Sequence, residues 1–574
     1  MVQKIGSSRV FLLSFLIYVS MCFLLCGEIW GYSIKKVVFF QHTQFPLKVF
    51  FIQGDRPGPT VMVQGGIQGD EICGVLTAQS LLMSKVLKGN LIVVPRANIP
   101  SLLKRKRGIN VDLNRRFDRR YCQFYEDHLA DAIRFLISLC DGLIHLHEGS
   151  GFYSPVFISE MRNPKRYGQS FIIDTYTYKN KLPLGNTIRP ILNALNAQIP
   201  NKRYWFKIFN TDTISPSTMY PEQRKSLTYY ALTKREIPAF AIEVSKDIKN
   251  LRWKWKIQLT ATKMVLKKLG VIVDISHVDE REILFPSPRE VKILIGDTNI
   301  MDKRQITLSP LMKISHKVPP SFLPEIGLFT PSLPNLNLLR LKAVPLSSPI
   351  SHLLLTLDGR EIRKWKVLYH RVPFPPSEKD IFVCQLNNKV LCVPAGGYLL
   401  AHEGDTLVIM GILGGRGDEV LNLKGYLSHS GYNSGQDMGT DIILERDFFM
   451  KKYISPLKEG GAWMCDLVRE RGNRSLSRIH IMVFPKGIYG ISLTRGDKTW
   501  VYPIGEKKEI HLPPGEYHIC IFPEGNYSSH VVIFEKNSPL MDKKVHIKKG
   551  ERNVLVFMDT DLAKRCGTIY LTGK

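Results

Sequence analysis

The sequence lacks the motifs of a cysteine-based metal site and of a nucleic-acid-binding domain. Its 10 cysteines include no Cys-x-x-Cys pair, which argues against a zinc site built from thiolates. No segment resembles a helix-turn-helix, a zinc finger or an RNA-binding sheet signature. Acidic residues are scarce, 51 against 79 Lys and Arg, so the formal net charge is +28. A balance of this sign favours polyanions, and the absent motifs argue against nucleic acid.

The amino terminus has no apolar run of the length typical for a membrane span. Lys4 and Arg9 precede the apolar run 10–25, which is shorter than the ~20 residues of a typical transmembrane helix. A charged segment followed by a short apolar run is typical of a secretory signal. We therefore predict a cleaved signal peptide at 1–31, with an uncleaved anchor as the alternative. Export would leave the cell wall and anionic lipid surfaces as the plausible polyanions.

The chain is also too long for one hydrophobic core, so several domains are expected. Up to an amphipathic helix predicted at 256–269, which stops at Gly270, strand and helix patterns alternate. This rhythm predicts a first domain at 32–285 of the α/β class, with a mixed sheet flanked by helices.

Beyond Phe285 the pattern changes to short apolar runs separated by turns rich in Pro and Gly. Such spacing predicts β-sandwich or barrel modules. We place them at 286–373, 374–455 and 456–574, the last as an immunoglobulin-like sandwich. Similar Pro/Gly-Tyr turns at 394–398 and 513–517 predict related modules. The clearest predicted strands are 291–295, 353–357, 406–412, 479–484 and 530–534.

The most informative motif is the turn 65–71, Gly-Gly-Ile-Gln-Gly-Asp-Glu. It follows a predicted strand at 60–63 and precedes a predicted helix at 72–87. In an open α/β sheet, ligands collect at the carboxyl ends of strands, and glycines let the backbone turn sharply there. Gln68 and Glu71 could share one small cation, although a Gly-Gly turn before a helix is more often only a turn.

Three later segments carry further polar residues of this kind. Asp-Leu-Asn-Arg-Arg-Phe at 112–117 follows the basic run 104–107. The segment 141–151 reads as a buried strand that ends in His-Glu-Gly-Ser-Gly, and a third apolar strand at 239–244 contains Glu243.

The order of these motifs resembles the zinc carboxypeptidase superfamily, which includes digestive carboxypeptidases and the succinylglutamate desuccinylase and aspartoacylase deacylases. Most members carry His-x-x-Glu at the turn, whereas this chain has Gln68-x-x-Glu71. A Gln there, with His-Glu-Gly-Ser-Gly-Phe-Tyr after the later strand, resembles the peptidoglycan D,L-carboxypeptidases that set helical cell shape in curved Gram-negative bacteria. The resemblance covers roughly residues 35–285.

The resemblance implies one Zn²⁺ per chain, bound by Gln68, Glu71 and His147 with a fourth position open. An amide oxygen donates less electron density than imidazole, so we expect weaker binding of a more electron-poor metal. A metal-free pseudo-enzyme that only binds the wall is the alternative. His145 competes with His147, because residues two apart on a strand share a face; otherwise it is a core or supporting histidine.

Glu243 is the candidate general base, because a carboxylate in an apolar strand is costly to bury unless it faces a wet cleft or a metal-bound water. A solvent-facing edge position is the alternative. Glu148 and Glu236 are rivals, but neither ends an apolar strand. His128, in a polar helical pattern at 125–139, is predicted to be solvated.

An exopeptidase must also hold the terminal carboxylate of its substrate. Arg115 can do so with two parallel hydrogen bonds, and Asn114 adds a neutral donor. By resemblance, Arg107 polarises the scissile carbonyl and stabilises the oxyanion. The basic run that contains it could instead be solvated surface.

Together these features predict an exported zinc metallocarboxypeptidase. The resemblance implies that it releases meso-diaminopimelate from peptidoglycan stem tripeptides in the periplasm of a Gram-negative bacterium and leaves dipeptides. The predicted partners are these muramyl tripeptides and other wall or envelope proteins that contact the β-modules, with no nucleic acid. A small-molecule deacylase and an inactive wall-binding protein are the alternatives. Cys384 and Cys392 flank a predicted hairpin turn and could pair in an oxidising compartment, with free buried thiols as the alternative for the other cysteines.

Overall fold

The computed structural model describes eleven segments of the chain. The predicted signal at 1–31 lies outside them. In the part that is described, no helix combines the length and the apolar character needed to cross a membrane. The segments are 33–319, 323–334, 336–346, 350–370, 380–413, 420–427, 435–457, 460–472, 474–503, 508–523 and 530–574.

The first domain alternates strands and helices, as predicted. The predicted helix at 72–87 is shorter in the structure, because residues 85–88 form a strand that pairs with a later one. The elements are β1 Ser33–Phe39, β2 Leu47–Gln53, β3 Thr60–Gln64, α1 Ile72–Leu82, β4 Lys85–Lys88, β5 Asn90–Val94, α2 Ile99–Leu103, α3 Tyr125–Ile137, β6 Gly142–Gly149, β7 Phe152–Tyr153, β8 Arg162–Asn163, β9 Ser170–Ile173, α4 Leu184–Asn196, β10 Lys207–Asn210, α5 Leu227–Lys234, β11 Ala239–Ser245, α6 Leu251–Lys268, β12 Ile272–Asp274 and α7 Glu280–Leu284.

Eight of these strands form one mixed sheet, in the order β1-β2-β5-β3-β6-β11-β9-β10. The four central strands, β5, β3, β6 and β11, are parallel, whereas β9 runs antiparallel to β11. Helices α1, α4 and α6 pack in one core and α3 and α5 in another. Because both faces are covered, the central strands are continuous apolar runs. The predicted mixed sheet with flanking helices is confirmed.

Helix α6 begins five residues before the predicted position. The side chain of Asn250 accepts a hydrogen bond from the backbone N–H of Trp253 at 3.0 Å and so caps the first turn. Asn is a favoured N-cap residue. Amphipathic spacing alone did not reveal this start.

The second module folds from two sheets that share one core. The predicted strands at 291–295 and 353–357 are both present. The strands are β13 Lys292–Ile295, β14 Thr298–Asn299, β15 Gln305–Leu308, β16 Ile314–Lys317, β17 Ile326–Phe329, β18 His352–Leu357 and β19 Arg360–Tyr369.

The third module extends past the predicted boundary at 455. Its core joins Phe382 near one end to Val483 near the other, so the boundary lies after Val483. The long hairpin at 463–484 contributes to this core, which the spacing of turns did not show. The strands are β20 Ile381–Leu386, β21 Lys389–Pro394, β22 Tyr398–His402, β23 Thr406–Leu413, β24 Val420–Leu423, β25 Asp441–Ile443, β26 Ser455–Pro456, β27 Trp463–Arg471 and β28 Arg474–Phe484.

The fourth module is a sandwich of two sheets, β30-β29-β32-β35 and β31-β37-β36-β33-β34, around one core. Tyr517 is buried there and donates a hydrogen bond to the Pro513 carbonyl at 2.7 Å. Tyr398, in the similar turn of the third module, is 60% exposed, so the two turns differ in packing. The strands are β29 Ile488–Arg495, β30 Lys498–Pro503, β31 Lys508–Leu512, β32 Gly515–Pro523, β33 Val531–Glu535, β34 Ser538–Pro539, β35 Lys544–Ile547, β36 Arg552–Asp559 and β37 Lys564–Gly573.

The fourth module packs on the first domain, opposite the face that carries α1 and α6. Phe534 contacts Phe51 of the sheet and Phe135 of α3, with ring centroids 5.6 and 5.1 Å apart. The apolar face of the first domain is therefore completed by residues from a distant part of the chain.

His128 is buried, so its predicted solvation is wrong. Its Nδ1 lies 3.3 Å from an Oε of Glu445, and its ring stacks on Phe448 at a centroid distance of 3.9 Å. Both partners belong to the third module. Helical periodicity shows which face of α3 is polar but not which module covers that face.

The predicted pairing of Cys384 with Cys392 is also wrong. The eight cysteines of the described residues are all free thiols. In the β20–β21 hairpin, Cys384 lies opposite Leu391 and Cys392 opposite Val383. Because neighbouring residues of a strand point to opposite faces, one thiol is buried in the core and the other is exposed.

A buried ion pair joins the first domain to the second module. The guanidinium of Arg96 donates to both carboxylate oxygens of Asp358, at 2.7 and 2.6 Å. We expect Arg96→Met to lower the free energy of unfolding by about 3–5 kcal/mol, because Asp358 stays buried without its partner.

Chemical denaturation of the purified chain measures this effect. Arg96→Met combined with Asp358→Leu should recover much of the stability, since no unpaired charge remains. Lys179→Met, which removes the exposed pair with Glu236, is the control and should change little. Equal destabilisation by the control would contradict a special role for the buried pair.

Candidate active site

The predicted metal-binding turn joins β3 to α1 at the carboxyl edge of the sheet. Gly65 has no room for a side chain, because an added Cβ would lie 2.3 Å from the Gly74 carbonyl oxygen. Gly66 has a φ of 65°, which favours glycine. These two glycines bring the turn back over α1, so that Glu71 stands directly before the first residue of the helix.

Gln68 is buried and has a fixed orientation. Its amide nitrogen donates to both carboxylate oxygens of Asp112, each at 3.1 Å. A carboxylate only accepts hydrogen bonds, so the amide oxygen of Gln68 points away from Asp112. Burial raises the pKa of Asp112, but Arg107 and Gln68 more than offset this, and its pKa lies below the ordinary value.

Glu71 and His147 meet in the same place. The Nδ1 of His147 lies 2.8 Å from an Oε of Glu71, and the same oxygen accepts from the Glu148 backbone N–H at 3.2 Å. Burial lowers the pKa of His147, but the Glu71 carboxylate outweighs burial and raises it.

His145 supports His147 from behind. Its Nδ1 lies 3.1 Å from the Nε2 of His147. Burial first, and then His147, lower the pKa of His145 well below its ordinary value, so the ring is neutral. Its own Nε2 is buried with no hydrogen-bond partner in the described part of the chain. Of the two predicted rivals, only His147 contacts Glu71.

Glu243 lies beside His147 in the parallel pair of β11 and β6. Burial and the carboxylate of Glu71 raise its pKa, whereas nearby cations lower it, and the result is a pKa of about 7. A Cβ on Gly149 would lie 2.2 Å from an Oε of Glu243. The carboxylate is thus pressed against the backbone of the next strand.

The two rival carboxylates have other partners. One Oε of Glu148 accepts from the backbone N–H of Cys73 at 2.7 Å, and the other pairs with Lys254. Glu236 pairs with Lys179 at the surface. Neither arrangement leaves a carboxylate free to accept a proton from water in the cavity.

Arg107, Asn114 and Arg115 line the same cavity. The Asn114 amide oxygen accepts from the Leu227 backbone N–H at 3.0 Å, which leaves the amide nitrogen as a donor. Arg115 is held by a bond from its Nη1 to the Asn114 carbonyl at 2.9 Å. Arg107 donates to Asp112 at 2.9 and 3.1 Å. The structure therefore brings together all seven predicted site residues.

Lys246 was not predicted from the sequence. Its Nζ lies 2.6 Å from Asp70 and 3.8 Å from Glu71, and it lines the cavity together with Gln223 and Thr228. Its position just beyond β11 is the one sequence signal that could have indicated it. The cavity has a volume of about 170 Å³, enough for several waters or part of a peptide.

The donor set fits a bound cation. Across the described segments, no three His, Cys, Asp or Glu side chains form a metal-binding group, and the predicted set has two of these types with an amide as the third. Residues outside the set orient two of its members, because Gln68 is hydrogen-bonded to Asp112 and His147 lies within hydrogen-bond distance of His145. Such outer partners typically orient metal ligands.

Comparisons with known proteins agree with the motifs. Residues 24–279, less than half of the chain, match a family described as "carboxypeptidase controlling helical cell shape catalytic". No curated protein matches the sequence.

Among solved structures, the chain is similar to tripeptide-bound Csd4 from Helicobacter pylori, at 22% identity over 79% of this chain and 100% of that one, with a TM-score of 0.43. The chain is also similar to the mDAP-bound form of Helicobacter pylori Csd4, a D,L-carboxypeptidase, at 24% identity over 74% of this chain and 96% of that one, with a TM-score of 0.43. A succinylglutamate desuccinylase from Silicibacter is 17% identical over 43% of this chain and 70% of that one, with a TM-score of 0.30.

The family match confirms the resemblance that the motifs indicated. It covers the first domain up to residue 279 and includes the turn, Asn114, Arg115, His147 and Glu243. The predicted class, a peptidase of the carboxypeptidase type, is confirmed with it.

Proposed function

We propose that this protein is an exported zinc D,L-carboxypeptidase of the periplasm that trims peptidoglycan stem tripeptides to dipeptides by releasing meso-diaminopimelate. The observation that carries the proposal is one cavity in which a carboxylate clamp, Asn114 and Arg115, faces Glu243 and the candidate ligand set. An endopeptidase has no need of such a clamp. The choice of substrate rests on the resemblance to the peptidoglycan D,L-carboxypeptidases, with which the family match agrees.

Gln68, Glu71 and His147 would hold the zinc through an amide oxygen, a carboxylate oxygen and an imidazole nitrogen. When bound, the ion acts as a Lewis acid toward water and the scissile carbonyl. Asp112 fixes the orientation of the Gln68 amide, and a neutral His145 could accept a hydrogen bond from the Nε2 of His147. The protein thus supplies three oriented donors before any metal arrives.

Glu243 would take a proton from the attacking water and pass it to the leaving amine. Its pKa of about 7 in the buried strand suits a group that must accept and then donate a proton near neutral pH. Arg107 lies across the cavity, where its guanidinium can donate to the developing oxyanion. Its ion pair with Asp112 holds it at the rim.

The clamp would bind the carboxylate on the L-centre of diaminopimelate. Arg115 offers a planar fork that matches a carboxylate, and the Asn114 amide adds a third donor. Their position on the turn after Asp112 fixes the distance from the terminal carboxylate to the base. This spacing selects the last residue of the stem peptide. The β-modules are the surfaces we propose for other envelope proteins.

We expect Arg115→Lys to lower kcat/KM about 10- to 10³-fold. Lysine keeps the charge but loses the two parallel hydrogen bonds, and part of the clamp energy positions the scissile bond. Hydrolysis of purified muropeptides, followed by chromatography, measures the loss. The parent enzyme should convert tripeptide to dipeptide and free diaminopimelate and leave longer stems intact.

Amidation of the substrate's terminal carboxylate provides the matched test. It removes the same interaction from the other side, so its effect and that of Arg115→Lys should be strongly non-additive. Equal cleavage of free and amidated substrates, or cleavage of tetrapeptides and pentapeptides at the same bond, would contradict the carboxypeptidase and favour an endopeptidase or amidase.

A further inference from the structure

A second surface lies beside the catalytic cavity, on the loop 154–166, which we call the rim loop. Three consecutive residues at its tip, Val156, Phe157 and Ile158, are exposed by 63%, 66% and 59%. Large hydrophobic side chains that follow one another in solvent usually mark an interaction site. Strand β7 joins the loop to Gly149 and Ser150, which line the cavity.

Hydrogen bonds at its base hold the rim loop in this shape. The Asn163 side-chain amide donates to the carbonyls of Ser159 and Glu160 at 3.0 and 2.9 Å. The Ile158 N–H donates to the Arg162 carbonyl at 2.9 Å. The apolar tip is therefore presented by a bonded turn and cannot fold back onto the domain without breaking these bonds.

Cations surround the base of the rim loop. Three lie on the loop itself and three on the segment that leads into β10, where Arg203 and Lys207 approach the aromatic rings next to the loop at 5.7 and 6.0 Å. Within the described segments, none of the six has a carboxylate within salt-bridge distance, although Asp247 lies at the base and accepts from the Gly151 N–H at 2.7 Å. The six are Arg162, Lys165, Arg166, Lys202, Arg203 and Lys207.

We propose that the rim loop docks on an anionic phospholipid bilayer. An apolar tip with a ring of unpaired cations is the arrangement that places side chains among acyl chains while Lys and Arg contact anionic headgroups. An anionic bilayer presents a continuous negative surface that can attract all six cations at once. Docking would place the mouth of the catalytic cavity at the membrane surface, and it does not depend on the proposed reaction.

Co-sedimentation with vesicles tests the proposal. The probe is residues 32–574, which keep every described helix and strand but lack the apolar run 10–25, mixed with vesicles of phosphatidylglycerol and phosphatidylcholine or of phosphatidylcholine alone. We expect binding to the anionic vesicles only, and an approximately tenfold loss of bound protein with Phe157→Ser and Ile158→Ser combined. The fluorescence of Phe157→Trp should shift to the blue on binding.

Two matched pairs of variants distinguish membrane binding by the rim loop from binding that depends only on the overall basic charge. Val156→Ser should weaken binding, whereas Val501→Ser on the fourth module, with the same 63% exposure, should not. Lys165→Glu should weaken binding more than Lys498→Glu. Absence of binding, or equal losses within each pair, would overturn the proposal, and a tip that is inert toward lipid would then fit a protein surface.

Discussion

Replacement of Glu243 with Gln is expected to lower kcat by about 10² to 10⁴ while metal remains bound. Glutamine keeps the shape and the hydrogen-bonding capacity of the side chain but cannot take a proton from water. None of the three candidate metal ligands is altered, so metal content should match that of the parent protein. Steady-state hydrolysis of the tripeptide, together with elemental analysis of the same preparations, measures both quantities.

The pH profile gives a second signature of the same residue. A base must be deprotonated to act, so kcat/KM should fall as the pH drops through the pKa of Glu243. Burial places that pKa at about 7, and a bound cation shifts it downward. The midpoint of the acidic limb should therefore lie between the ordinary carboxyl value of about 4.3 and 7.

Glu243→Gln should abolish this limb in whatever activity remains. Glu148→Gln is the comparison, because Glu148 is buried nearby but contacts α1 and Lys254 instead of free cavity space. Near-normal turnover by Glu243→Gln with an unchanged acidic limb would remove Glu243 as the base.

The first domain could be predicted because its strands are buried on both faces. Such strands read as unbroken apolar runs, and β3, β6 and β11 lie within a residue or two of their predicted bounds. Polar residues at the ends of these runs must then share one edge of the sheet. The order of the motifs was therefore enough to bring Gln68, His147 and Glu243 together.

Contacts between modules could not be predicted in this way. The burial of His128 depends on Glu445 and Phe448, more than 300 positions away, and no local pattern on α3 identifies them. Likewise, the boundary near 455 depends on which core receives β27 and β28. Lys246 was missed because a lone lysine beyond a strand carries no pattern of its own.

Gln68 occupies the position where the pattern in most zinc carboxypeptidases has a histidine. Sequence alone left open a decayed site, since an amide is an uncommon metal ligand. In the structure the amide is anchored on Asp112, which in turn accepts from Arg107. This orientation leaves the amide oxygen available to a cation, as the proposed ligand set requires.

His147→Ala is expected to release the metal and to abolish hydrolysis. Loss of one of three protein ligands opens the site to water, and Glu71→Ala should act in the same way. Gln68→His should retain or tighten the metal, because imidazole donates more electron density than an amide oxygen. The metal content that remains after dialysis against a weak chelator ranks the metal affinity of the parent protein and these three variants. This measurement does not depend on activity.

The comparison also separates the candidate functions. A chain that carries about one zinc, loses it in both alanine variants and keeps it in Glu243→Gln behaves as an enzyme whose ligands and base are distinct groups. Unchanged metal in both alanine variants would show that the ligand assignment is wrong. A parent protein that binds no zinc, yet sediments with purified cell wall, would be the pseudo-enzyme. In that protein Gln68→His would be the variant most able to restore metal, because it returns the ligand that most members of the superfamily carry at this turn.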